Sequence, residues 1–323
     1  MSFNQIRGQD KPIEILKEYI KQSRLAGSYL FIGEEGVGKR FIAKTLAKAL
    51  NCENETLDSC DGCAPCLKIE KNQHPDVHFL NNAETSDAIK IEYIRQLQKD
   101  IAFRPYEGKK KVFIIDDAHN LTAEAANALL KILEEPPLDS LIILISAKPA
   151  LLFKTIISRC KILRFYPLKR PRLEEILKED FRIDNSMAHF LAYFCEGRLG
   201  RALRLKDTDI FREKNRVIDD FALSGGRGSD NLSVENKDNL RSYLNILAGW
   251  FRDIYFVKIG MPYDELINLD RKDELSKLMS HYTFLDLSRI LNFLSNAFLY
   301  LEQNINTKLL LSNLRWALKG AII

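Results

Sequence analysis

The chain has 323 residues, 46% hydrophobic and 28% charged, with a formal net charge of +4. That length accommodates two or three domains with cores of their own, and so small a charge does not by itself mark a nucleic-acid binder. No stretch approaches the roughly 20 apolar residues that span a bilayer, and Met1-Ser2-Phe3-Asn4-Gln5-Ile6-Arg7 has no signal-type apolar core. The expectation is a cytoplasmic protein with no membrane partner, whose six cysteines serve metal or free-thiol roles rather than disulfides.

Tyr29-Leu30-Phe31-Ile32 is a short apolar run ending at Gly33. Gly33-Glu34-Glu35-Gly36-Val37-Gly38-Lys39-Arg40 follows, then Phe41, Ile42, Leu46, Ala47 and Leu50 at helical spacing. Strand, glycine loop and helix are the order a phosphate cradle needs. Loop amides and the helix N-terminus point at an anion, and Lys39 adds a positive charge. Such a loop ends in Ser or Thr, because a hydroxyl must ligate Mg²⁺. Here Arg40 stands in that place, and an always-cationic guanidinium repels a metal ion. The bland reading is a glycine turn that never holds phosphate.

Cys52, Cys60, Cys63 and Cys66 come next. Two overlapping C-x-x-C steps aim thiolates at one centre, and Cys52 closes a tetrahedron, the description of a structural Zn²⁺ site. An iron–sulfur cluster uses the same ligand type. His74 reads as a turn residue before Pro75, and Cys160 and Cys195 as isolated buried thiols.

Lys111-Val112-Phe113-Ile114-Ile115-Asp116-Asp117 is a second apolar strand ending in acids. It fits a strand whose first carboxylate helps hold Mg²⁺ and whose second polarises the attacking water; alternatively the two acids cap the next segment. The preceding lysines, 109 to 111, read as a solvated turn. Thr122 to Glu135 is a helix stopped by Pro136-Pro137. Leu141–Ile145 and Ile162–Phe165 complete four predicted strands, the former uninterrupted as befits a strand covered on both faces. Strands alternating with helices predict a parallel α/β sheet.

Residues 166–207 read as a small helical lid, with helices around Leu173–Leu177, Phe190–Phe194 and Ala202–Leu205, and Gly197 and Gly200 as punctuation between the last two. Lys169-Arg170-Pro171-Arg172 at its start reads as solvated. From 208 onward the pattern is all-α. Helices are expected over Ile210–Leu223, Leu240–Ile259, Phe284–Leu301 and Leu309–Leu318, with a loop at Ser224–Asn231. Trp250, Phe251, Tyr255, Phe293 and Phe298 are expected in its core. Basic stretches lack the aromatic interleaving of single-strand binders.

Phe3-x-x-Ile6-x-Gly8-Gln9, the cysteine module directly after the loop's helix, His74-Pro75-Asp76, Ala126-Asn127-Ala128-Leu129-Leu130-Lys131-x-Leu133-Glu134-Glu135-Pro136-Pro137 and Ser158-Arg159-Cys160 together resemble the bacterial clamp-loader AAA+ subunits of DNA polymerase III. The resemblance is dense to about residue 165, sparser through Gly197-x-x-Gly200-x-Ala202-Leu203 and faint beyond. It implies an α/β AAA+ domain at 1–165 interrupted by the zinc module at 52–66, a helical lid at 166–207 and an all-α collar at 208–323.

Within that family the motor branch, gamma/tau, hydrolyses ATP, while the delta-prime branch often carries a degraded nucleotide site. Four positions depart from the motor pattern. Arg40 replaces Ser or Thr, and Asp117 replaces Glu. Ala147, with Ser146 adjacent, takes the place of a polar sensor, and Gly200 that of a lid arginine. Ser158-Arg159-Cys160 is intact. The chain is thus similar to delta-prime, and a gamma/tau-like subunit that itself hydrolyses ATP is the alternative. The resemblance implies structural Zn²⁺ on Cys52, Cys60, Cys63 and Cys66. It also implies an ATP or ADP cradle at Gly33, Gly36, Gly38, Lys39, Arg40, Asp116 and Asp117, and Arg159 acting in trans on a neighbouring subunit's ATP. The partners implied are gamma/tau and delta subunits in a hetero-oligomer, and a sliding clamp and primed DNA through the assembly.

Overall fold

Among the described residues five strands form one all-parallel sheet in the order β2-β3-β4-β1-β5: β1 Gly27–Ile32, β2 Val77–Leu80, β3 Lys111–Ile115, β4 Ser140–Ser146 and β5 Lys161–Arg164. The computed structural model describes residues 2–22, 25, 27–54, 57–80, 88–223, 237–303, 309–310 and 312–313. β1, β3 and β4 are the strands the apolar runs predict, and successive side chains on them serve opposite faces. Tyr29, Phe31, Val112, Ile114, Leu141, Ile143 and Ile145 pack with α1 (Asp10–Lys21) and α2 (Lys39–Asn51). Leu30, Ile32, Phe113, Ile115, Ile142 and Leu144 pack with α4 (Ile91–Ile101), α5 (Ala123–Glu134) and α6 (Lys154–Ile157). Both faces are therefore buried, which is why these strands carry no polar alternation. β2 escapes the sequence reading: it is an edge strand of four residues, only Val77 fully buried.

α3 (Ala64–Glu70) closes the cysteine module, carrying Cys66. α5 starts at Thr122, whose hydroxyl accepts the Ala125 N–H (3.2 Å), and ends before the two prolines. The Lys109–Lys111 run is only in part the solvated turn expected: Lys109 is exposed, whereas Lys111 is buried, and all three ammonium groups have partners. Lys109 Nζ donates to the Cys52 carbonyl (2.8 Å), Lys110 Nζ to the Leu138 carbonyl (2.6 Å), and Lys111, buried, to the Asp100 carbonyl (2.7 Å). Each ammonium ties down a segment whose carbonyl the sheet does not use.

The chain separates into two compact units, residues 1–168 with 198–201, and 169–197 with 202 onward. Among its described residues the second is built of helices: α7 (Arg170–Glu179), α8 (Asn185–Phe194), α9 (Leu199–Lys206, its first turn counted with the first unit), α10 (Ile210–Val217), a π-helical turn at Ile218–Leu223, α11 (Lys237–Lys258), α12 (Lys272–Leu278) and α13 (Phe284–Glu302). Periodicity finds all of these except α12. Trp250 and Phe251 are buried core residues, and Tyr255, Phe293 and Phe298 are half-buried.

Residues read as lid and as collar share this unit's interior. His189 Nε2 of α8 lies 2.7 Å from the Leu266 carbonyl, and buried Lys214 of α10 lies over Phe190 of α8 while pairing with Asp270 (2.6 Å). The loop predicted at Ser224–Asn231 and the end of the helix predicted to reach Leu318 lie outside the described residues; Leu309 and Leu310 are helical.

Candidate functional site

The phosphate loop leaves β1 at its C-terminal edge and turns into α2. Gly33, Gly36 and Gly38 all have positive φ, +152°, +83° and +98°. At Gly33 the requirement is also spatial, since a Cβ there would lie 2.3 Å from the Phe165 carbonyl oxygen. Lys39, 6% exposed, sits under this loop, and its Nζ donates to the Gly33 and Glu34 carbonyls, both at 2.6 Å. Burial lowers its pKa against the opposing pull of Asp116 and Asp117.

Gln9 helps shape the same loop. It is buried, and its Nε2 donates to the carbonyls of Tyr166 (2.7 Å) and Val37 (3.2 Å). The sequence marks Gln9 only as part of a motif. Its work is to bind the loop to the exit of β5.

The strand-end acids lie against the loop's helix. Arg40 Nη1 of α2 is 3.8 Å from Asp116 Oδ2, and Asp116 Oδ1 accepts the Asp117 N–H at 3.0 Å. Burial, and then the neighbouring Asp117 charge, push the Asp116 carboxyl above the usual carboxylate range; Arg40 and Lys39 pull the other way. Asp117 has φ +48° and precedes a short 3-10 turn at Ala118–Asn120, but its side chain makes no capping bond there. Ser146, at the end of β4, is fully buried; its Oγ lies 3.3 Å from His119 Nδ1 and accepts the Lys148 N–H at 3.1 Å. Ala147 beside it has no polar group to offer.

Gly200 is not punctuation between helices. It lies in the first turn of α9, where its N–H donates to the Gly36 carbonyl (2.8 Å) and a Cβ would sit 2.8 Å from that same oxygen. A side chain at this position would push the Arg198–Arg201 segment off the loop. The glycine is required by the close approach of two backbones, a tertiary fact with no local signal.

The four cysteines converge, as their spacing predicts. The sulfurs of Cys52, Cys60, Cys63 and Cys66 all lie within 4.8 Å of one another, and Cys52 Sγ and Cys63 Sγ are 3.9 Å apart. Tetrahedral Zn–S bonds of about 2.3 Å require sulfurs about 3.8 Å apart, so the donor set and its span fit the metal. The N–H groups of Gly62 and Cys63 hold the Cys60 thiol down to about 7, whereas burial pushes Cys52 and Cys66 up. Lys48, buried in α2, pairs with Asp61 (3.0 Å) and with Glu70 of α3, fastening the module to the loop's own helix. Asp58 accepts the Phe3 (2.7 Å) and Asn4 (3.2 Å) N–H groups. His74 serves the turn: its Nδ1 accepts the Asp76 N–H at 3.1 Å. Asp76, fully buried, accepts the N–H groups of Tyr106, Glu107 and Gly108 at 2.7 to 2.9 Å.

Arg159 follows α6 on another edge of the sheet. Its Nε donates to Glu134 Oε1 of α5 (2.5 Å) and its Nη1 to the Thr155 carbonyl (3.1 Å). The guanidinium is a third exposed and pairs with its own chain's Glu134, the first glutamate before the two prolines. Sequence alone does not reveal this pairing.

The chain as a whole has relatives among known proteins. A family described as DNA polymerase III, delta subunit, matches residues 8–169, and its C-terminal counterpart matches residues 212–317. DNA polymerase III subunit delta' of Bacillus subtilis is 34% identical over 272 residues, covering 81% of each chain. The chain belongs to the delta-prime family of DNA polymerase III clamp-loader subunits. Within the wider clamp-loader group, subunit tau of B. subtilis is 33% identical over 307 residues, 86% of this chain but only 54% of tau. A solved structure of a gamma subunit-related protein from Thermotoga maritima aligns over 97% of this chain and all of its own, at 17% identity and a TM-score of 0.47. Among the described residues no helix is long and apolar enough to cross a membrane.

Proposed function

We propose that this chain acts in a hetero-oligomer with gamma/tau and delta subunits, and that its contribution to ATP chemistry is made at a neighbour's site. The observation that carries the reading is the contrast between Arg40 set against Asp116 and the intact Ser158-Arg159-Cys160 edge. Hydrolysis requires a metal ion between the β- and γ-phosphates and a positioned water. In this chain a guanidinium lies beside the acid that would hold the metal, Asp117 is one methylene short, and Ala147 and Gly200 lack polar side chains. Arg159 keeps a guanidinium at the sheet edge. On approach of a neighbour's triphosphate it exchanges Glu134 for phosphate oxygens, and offsets charge developing in phosphoryl transfer.

The assembly would open a ring-shaped sliding clamp and place it on primed DNA, in the cytoplasm. Gly33, Gly36, Gly38 and Lys39 retain the means to hold the phosphates of ATP or ADP without turnover. A structural Zn²⁺ on Cys52, Cys60, Cys63 and Cys66 would cross-link the module to α2 and α3. Residues 166–207 would form a lid and 208–323 a collar, the collar packing beside its equivalents in the other subunits.

The test is Arg159→Ala assayed in the reconstituted complex: ATPase should collapse while the isolated chain keeps its unfolding midpoint. Unchanged ATPase would remove the arginine from the mechanism. The second reading, a gamma/tau-like ATPase, draws on the likeness to tau along most of the chain; steady ATP turnover by the purified chain alone would establish it.

A further inference from the structure

The loop and the acids beside it do not fit the magnesium ion that such loops employ. Mg²⁺ demands oxygen ligands in near-octahedral order, of which the protein ordinarily supplies a loop hydroxyl and the strand-end carboxylate. Position 40 offers no oxygen. Of the carboxylate's two oxygens, Asp116 Oδ1 accepts the Asp117 N–H and Oδ2 faces Arg40 Nη1 at 3.8 Å. A dication entering here would meet Lys39 and Arg40 within a single turn of α2, and like charges at that range repel strongly where water is partly excluded.

We propose that Arg40 stands in for the magnesium ion, so that this loop takes a nucleotide's polyphosphate as the free, metal-less anion. The inference rests on the reading that the loop holds phosphate at all. A guanidinium is suited to the substitution: it is permanently charged, and its planar fork of N–H donors matches phosphate oxygens. Arg40 is half-exposed and bound to Asp116 by charge alone, with no hydrogen bond between them, so it can turn to an arriving phosphate at small cost. Lys39 must likewise exchange the Gly33 and Glu34 carbonyls for phosphate oxygens. The two cations and the loop amides then offset the charge that Mg²⁺ would otherwise neutralise. Because Mg²⁺ complexes the same oxygens in solution, it competes with the loop instead of assisting it.

The test titrates ATP into the full-length chain by calorimetry, once in EDTA and once in excess Mg²⁺. Binding is expected in EDTA and is expected to be weakened by excess Mg²⁺; an affinity that Mg²⁺ leaves unchanged would count against the proposal. Arg40→Thr should bind about tenfold more weakly in EDTA and gain at least fivefold on adding Mg²⁺. Mn²⁺, used as a spectroscopic substitute, should give a protein-bound paramagnetic signal with ATP in Arg40→Thr but not in the wild-type chain, and Asp116→Asn should abolish it in the double variant. Tenfold tightening of wild-type binding by Mg²⁺ would overturn the proposal, as would no binding in either buffer. The wild-type result decides even if the variant fails to fold. Loss of this inference leaves the Arg159 reading standing, because that reading is tested in the assembled complex.

Discussion

The phosphate loop and the Ser158-Arg159-Cys160 edge keep different parts of the motifs legible in the sequence. At the loop the backbone is that of a phosphate cradle, with three glycines at positive φ and a buried lysine, while the side chains that would manage the metal have changed. At the edge Arg159 is present, and its guanidinium is bound to Glu134. The difference separates two requirements. Holding phosphate is a backbone property, whereas turnover depends on a few side chains that can be lost singly. A subunit that acts at its neighbour's site needs the first only weakly and the second not at all.

The sharpest break of this comparison is Arg159→Ala in the assembled complex. ATPase should fall by on the order of 10³ or more, the range associated with trans arginines, with no change in the isolated chain's stability. A fall of less than tenfold would put this edge on the same footing as the loop. Removing the metal tests a different boundary. In a Cys60→Ser/Cys63→Ser double variant, metal analysis should drop from one zinc per chain to none, and residues 52–66 should become open to protease. Stoichiometric iron in the parent would replace the zinc assignment.

The turn at Asp76 should be costly to disturb, because its carboxylate accepts three backbone N–H groups. Asp76→Asn should lower stability by about 3 kcal/mol, read as a shift of the urea midpoint. Burial alone would raise this pKa, but the N–H groups of Tyr106, Gly108 and Glu107 outweigh it and hold it below the ordinary aspartate value. The native state therefore binds this proton less readily than the unfolded chain. The contribution is full above the unfolded pKa near 4 and is lost as pH falls through the native one. The variant's deficit should accordingly shrink in acid, and a deficit independent of pH would assign the cost to packing.

The smallest effect concerns Glu134. If Arg159 must leave it to reach a neighbour's phosphate, Glu134→Gln removes an exposed ion pair worth about 1 kcal/mol at most and should speed assembled turnover up to about fivefold. Slowing toward the Arg159→Ala level would show instead that Glu134 aims the guanidinium.

Much of this was legible before any coordinates. β1, β3 and β4 announce themselves because both faces of the sheet are covered, and α5 because Thr122 and the two prolines bracket it. β2 does not: at a sheet edge, four residues around His78 need no continuous apolar run. The lysine run at 109–111 reads as solvated, since sequence shows three charges and not the three carbonyls waiting for them. Gly200 reads as punctuation, because nothing near it in sequence reveals that the Gly36 backbone lies against it.

Sequence alone determined the glycine loop, the converging cysteines and the family, for these depend on residue type at fixed short spacing, where local backbone geometry dictates the outcome. Tertiary structure alone decided that Arg40 meets Asp116, that Glu134 holds Arg159 and that Gln9 braces the loop. Each of these joins segments far apart in the chain, and the strand order that brings their ends together is set by the packing of the whole sheet. Arg40 in sequence is a missing hydroxyl; in the folded chain it is a cation set against Asp116.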